Sequence, residues 1–177
     1  MTERSDIEMR LATASDIESM RVLLFSDGVN DWNYLPPDGV VQELGDVRSG
    51  RASAAVLEQD GVIVGLSIFY PNFVRFPAYV SRDLNQSAAV GYIDDVVVSR
   101  KLIGQGLGTK LLTRTIEELR ARGMREIFID CHEENLASRG MIRKAGFIDC
   151  GCFDDHERRF VGSRRTCIAR YSVPGAA

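Results

Sequence analysis

Ile103-Gly104-Gln105-Gly106-Leu107-Gly108 stands between the run Tyr92-Ile93-Asp94-Asp95-Val96-Val97-Val98 and a helical repeat of Leu107, Leu111, Leu112, Ile116 and Leu119. Residues 90–98 read as a strand, apolar except for its two aspartates. The leucine repeat gives one apolar face to a helix over 107–122, which Gly123 ends. Three glycines at alternate positions let the backbone turn tightly and aim successive N–H groups at one point. The helix that follows adds the positive end of its dipole. A strand, this turn and a helix in that order make a phosphate site. Spacing excludes two familiar ones. A nucleotide P-loop needs a glycine at position 103, and the dinucleotide pattern needs one at Thr109 or Leu111.

Working outward, Ile7, Met9 and Leu11 alternate as a first strand. Thr13 or Ser15 caps a helix with apolar positions Ile17, Met20, Leu23 and Leu24, which Asp27-Gly28 stops. A weaker helical pattern follows Pro36-Pro37 over 39–48. Residues 52–58 and 62–70 form a hairpin about Asp60-Gly61. Residues 71–88, with Phe73, Phe76 and Tyr79 and with Pro71 and Pro77 opposing regular structure, read as a long loop of the functional kind. Downstream come a strand at 126–131, a helix at 135–145 closed by Gly146, a strand from Phe147 and a last strand at 165–173. Neither a linker nor a repeat interrupts residues 1–177, so the order describes a single α+β or α/β domain.

At 177 residues and 45% hydrophobic, the chain can bury a full core. A formal charge of −3 gives no basic field for nucleic acid or an anionic membrane. No apolar run reaches the roughly 20 residues of a membrane span, and residues 1–10 lack the apolar centre of a secretory signal. Cys131, Cys150, Cys152 and Cys167 form no CxxC pair, so they read as reduced thiols in a cytoplasmic protein. Cys150-Gly151-Cys152 with His156 matches no zinc spacing, and alternation sets both thiols on one strand face, so no metal is expected.

From Tyr92 to Phe147 the sequence resembles the general N-acetyltransferase superfamily. Gly106 and Gly108 match its Gln/Arg-x-x-Gly-x-Gly/Ala signature, and Asn135 with Gly146-Phe147 matches an Asn followed eleven residues on by Gly-Phe. Within that superfamily, residues 92–98, the glycine turn and Ile129-Asp130-Cys131 are most similar to glucosamine-phosphate N-acetyltransferases. The loop at 71–88 and the tail after Cys150 do not follow them. The resemblance implies a mixed, mostly antiparallel twisted sheet flanked by helices and splayed between its fourth and fifth strands. It implies an acetyl-CoA core over about residues 90–150, acetyl-CoA as cosubstrate and a possible homodimer. Backbone at Ile103, Gly104, Gln105, Gly106, Leu107, Gly108 and Thr109 would hold the pyrophosphate. Val96, Val97 and Val98 would pair with the pantetheine arm, and Asn135 would contact it further along.

Two positions depart from the family pattern. Ile103 replaces a Gln or Arg that donates to phosphate, with Arg100, Lys101 and Gln105 nearby to compensate. Ile142 stands where many members carry the Tyr that protonates the departing thiolate. A thiol has a pKa of about 8.5, so its thiolate is a tolerable leaving group, and Ser138 or water can supply part of the missing acid. Cys131 and His132 are weaker candidates.

An amine nucleophile must lose its proton before attack. Asp94 and Asp95 are the candidate bases, and strand alternation sets them on opposite faces so that only one meets a shared cleft. Asp130 would assist, and a backbone N–H near Val96 or Val97 would stabilise the oxyanion. Arg158, Arg159, Arg164 and Arg165 suit either an anionic substrate group or plain surface charge. His156 with Asp154, Asp155 and Glu157 reads as an exposed turn, whereas Trp32, Tyr34, Phe73, Phe76 and Tyr79 are pocket walls or small satellite cores. Three functions stay open: acetylation of a small-molecule amine, acetylation of a protein or peptide, and a CoA-binding sensor without catalysis.

Overall fold

A computed structural model describes residues 6–73, 75–76 and 89–175. Its first half contains β1 (Ile7–Leu11), α1 (Ile17–Leu23), α2 (Pro37–Ser49), β2 (Ser53–Gln59) and β3 (Val62–Pro71). The second half contains β4 (Val90–Val98), α3 (Leu107–Ala121), β5 (Glu126–His132), α4 (Leu136–Lys144), β6 (Ile148–Asp154) and β7 (Arg165–Ser172). Tyr79 and the other loop residues of 77–88 lie outside the described residues.

All seven strands join one sheet in the order β1-β2-β3-β4-β5-β7-β6. Only the β4–β5 contact is parallel, as the long crossover through α3 requires. The sheet's two faces carry separate cores. Leu107, Leu111, Leu112 and Leu119 of α3 pack with Ile142 of α4 on one face. Ile17, Met20, Leu23 and Leu24 pack with Val40 and Leu44 of α2 on the other. Leu111 and Leu112 are fully buried, each contributing about 1.5–3 kcal/mol of transfer free energy.

Two irregularities of β4 build the cleft. Its pairing with β5 runs only from Val90 to Ile93, so the strands separate from Asp94 onward, as the resemblance implied. On its other edge the register passes from Phe69↔Ile93 to Ile68↔Asp95, which makes Asp94 the inserted residue of a β-bulge. Strict alternation therefore fails here. Asp94 and Asp95 both line the same cleft, contrary to the expectation of opposite faces.

The cysteines need correcting too. Cys152 and Cys167 face each other across β6 and β7 and are joined as a disulfide, so the four are not all reduced thiols. A register shift between Asp149 and Gly151 breaks the alternation that was to align Cys150 with Cys152, and Cys150 is exposed. A cytoplasmic setting therefore has no support from the cysteines. No helix among the described residues is long and apolar enough to cross a membrane.

Candidate active site

The opening between β4 and β5 leads into a cleft of about 840 Å³, walled by α2, the segment after α1, the start of α4 and the stretch after β6. At one end Val96, Val97 and Val98 line it. One backbone edge of these residues pairs with Ser67, Leu66 and Gly65 of β3, and β5 has left the other edge. Such an edge can take an extended arm as an added strand. Beyond it, Gly104 and Gly106 turn with φ of 86° and 74°, a left-handed region that costs other residues about 1–2 kcal/mol. Gly108 serves differently, because a Cβ there would strike the Met141 thioether of α4, whose side chain would have to move. No side chain caps α3, so its first amides stay available to an anion. Asp27 anchors the approach by accepting from the Arg100 amide at 2.7 Å. Ile103 reaches the cleft's rim and is 71% exposed, while the amides of 104–109 lie beyond its lining.

The other end is acidic and deep. Burial, with the nearby charges of Asp95 and Asp130, pushes the Asp94 carboxyl up to about 7 against the pull of Arg75, which donates to it. Burial also raises Asp95, whose carboxylate is hydrogen-bonded by Glu43 and Asn33. Asp130 is almost fully enclosed. It accepts from the Tyr92 hydroxyl, from Arg159 at 2.8 Å and from Arg158 at 3.2 Å. Arg159 is committed as well, donating to Thr166 and to the Trp32 carbonyl. The pair therefore ties β5 to the segment after β6.

A strand that parts from its neighbour beside a glycine turn, with buried carboxylates at the far end, fits binding of a long phosphorylated thioester next to an amine. Residues 17–147 match the model of the acetyltransferase (GNAT) family. The chain belongs to the GNAT acetyltransferases. A glucosamine 6-phosphate N-acetyltransferase of Trypanosoma brucei brucei is 30% identical over 83% of this chain and 92% of its own length. One from Oryza sativa subsp. japonica is 33% identical over 65% of this chain and 56% of its own. Among solved structures, an N-acetyltransferase from Staphylococcus aureus Mu50 superposes with a TM-score of 0.72 at 19% identity, covering 95% of this chain and 99% of that one. A putative acetyltransferase from Salmonella typhimurium, solved with its cofactor acetyl-CoA, gives 0.70 at 20% identity, covering 98% and 100%.

In this acetyltransferase, Asn135 caps α4 by accepting from the Ser138 amide at 3.1 Å, and both residues line the cleft beside Ile142. Cys131 also lines it, but burial pushes its thiol up to about 12. His132 is satisfied on both nitrogens, by the Val161 carbonyl and the Glu134 amide, and is buried against Trp32. Trp32, Tyr34, Arg158 and Arg159 form walls, whereas Phe73 packs on Tyr70 and Tyr92, and Phe76 on Phe153. Arg164 and Arg165 instead hold local backbone and Glu133. Asp155 is buried and accepts from Thr166, so only part of the 154–157 cluster is an exposed turn. Among the described residues, Glu133, Cys152 and Cys167 bring donor atoms within 4.8 Å of one another, with the two sulfurs bonded together.

Sequence reading missed Glu43, Arg75 and Asn33 as cleft residues. Only Glu43 left a signal, a carboxylate three residues after Val40 and one before Leu44 on the buried stripe of α2.

Proposed function

We propose that this acetyltransferase acetylates the primary amine of a small anionic acceptor, of the amino-sugar phosphate class named for its curated relatives, with Asp94 as the base. The observation that carries the reading is Asp94 itself, a bulge carboxylate sunk in a walled cleft with its protonation balanced near neutrality. A base there can take a proton from an ammonium group and still be ionised when the next acceptor arrives. Asp95 and Asp130 are less available, one gripped by Glu43 and Asn33, the other by Tyr92 and two arginines. Asp130 thus acts by holding Arg158 at the cleft wall, where a guanidinium suits an acceptor phosphate.

Acetyl-CoA supplies the activated acyl group. The residues fit it: uncapped amides at the start of α3 for the pyrophosphate, the open β4 edge at Val96, Val97 and Val98 for the arm, and Asn135 across the gap. Ser138 hydrogen-bonds the departing thiolate, which leaves as an anion or takes its proton from water, because Ile142 has none to give. The depth of the carboxylates favours a small amine over a peptide.

The test measures thiol release from acetyl-CoA with glucosamine 6-phosphate, glucosamine, a simple alkylamine and a lysine peptide. The phosphorylated sugar should give the highest kcat/KM. Equal rates with and without phosphate would remove the role of Arg158, and a preference for the peptide would overturn the acceptor class.

A further inference from the structure

Glu43 projects from α2 into the acidic end of the cleft, and it is 7% exposed, as Asp95 beneath it is 9% exposed. The two side chains hydrogen-bond each other. Two carboxyl groups can do so only with a proton between them, and Glu43 Oε1 is buried without a hydrogen-bond partner among the described residues. Burial and the negative charges of Asp95 and Asp94 raise Glu43 well above the usual carboxylate range, whereas the shared bond pulls Asp95 down against its own burial, so the proton is drawn to Glu43. Asn33 gives Asp95 a second donor.

Asp94 lies beside this pair. Arg75 faces it from the loop after β3, Asp95 from its own strand, Asp130 from β5 and Arg158 from the segment after β6. Glu43 of α2, Tyr70 of β3 and Tyr92 of β4 add to the charged and titratable surroundings.

We propose that Glu43 is a positioning residue for amine acetylation: the proton it shares with Asp95 keeps that carboxylate ionised, leaving Asp94 as the group that exchanges protons with the acceptor. The inference rests on the amine-acetylation reading above. Burial raises the proton affinity of Asp94 most, and repulsion from the charge of Asp95 adds to it. Without the Glu43 proton, Asp95 protonates more readily and its repulsion fades. Asp94 then ionises at lower pH.

Two variants separate this from a structural role. Glu43→Gln keeps a donor for Asp95 without a titrating group, and Glu43→Leu removes the donor with an apolar side chain that such buried sites often accept. The pH profile of kcat/KM is measured with acetyl-CoA and glucosamine 6-phosphate, alongside NMR titration of 13C-labelled Asp and Glu carboxyls, which needs no acceptor. Glu43→Gln should leave the acidic limb in place, and Glu43→Leu should move it down by about one pH unit. An unmoved limb and Asp94 titration in Glu43→Leu overturns the proposal, as does loss of activity in Glu43→Gln equal to that in Glu43→Leu. An NMR shift of Asp94 in Glu43→Leu supports the carboxyl pair even where no amine turns over, an outcome that removes only the acetylation reading.

Discussion

The two ends of the cleft differ in how they are assembled. Val96, Val97, Val98 and the turn from Gly104 to Gly108 lie close together in the chain and present backbone groups. Glu43, Arg75, Asp94, Asp130 and Arg158 come from five separate segments and work through side chains whose charges depend on one another. A backbone site survives a changed side chain as long as the φ angles and the space remain. A carboxylate cluster does not, because each member's protonation is set by the others.

The largest effect should fall at the side-chain end. Asp94→Asn should lower kcat/KM by about 10²–10⁴-fold, the usual worth of positioned base catalysis, while calorimetry finds acetyl-CoA binding unchanged. The same base gives wild type an acidic limb near pH 7, since the carboxyl pushed up to about 7 holds its proton below that. If Asp94→Asn stays active and the limb persists, another group is the base and the contrast between the two ends weakens.

Next comes the backbone end. Gly106→Glu must hold φ at 74° and sets a negative charge at the start of α3, so acetyl-CoA binding should weaken by on the order of tenfold or more. Unaltered affinity would mean that the turn does not hold the pyrophosphate.

The smallest expected effect tests whether a side chain can add to a backbone site. Ile103→Arg puts a guanidinium at an exposed position on the rim, and one charged hydrogen bond of about 1 kcal/mol would tighten acetyl-CoA roughly fivefold. No change would show that the amides already satisfy the phosphates.

Much of the fold was legible because its signals are local. The Asp60-Gly61 hairpin, the leucine stripe of α3 and the glycine stops follow from periodicities of two and 3.6 residues and from turn chemistry. The bulge at Asp94 was not legible. It is set by how β4 registers on β3, and the sequence of β4 alone reads as an unbroken strand. The disulfide escaped for a similar reason: Cys152 and Cys167 are 15 residues apart, and only the pairing of β6 with β7 sets them opposite.

By itself, then, the sequence determined the order of elements, the glycine turn before α3 and the family. Each depends on residues close enough in the chain to shape one stretch of backbone. Tertiary structure alone singles out Asp94 as the carboxylate we propose as the base. That choice depends on burial and on charges at Glu43, Arg75, Asp95 and Asp130, brought together only when α2, the loop after β3 and β5 close around the bulge.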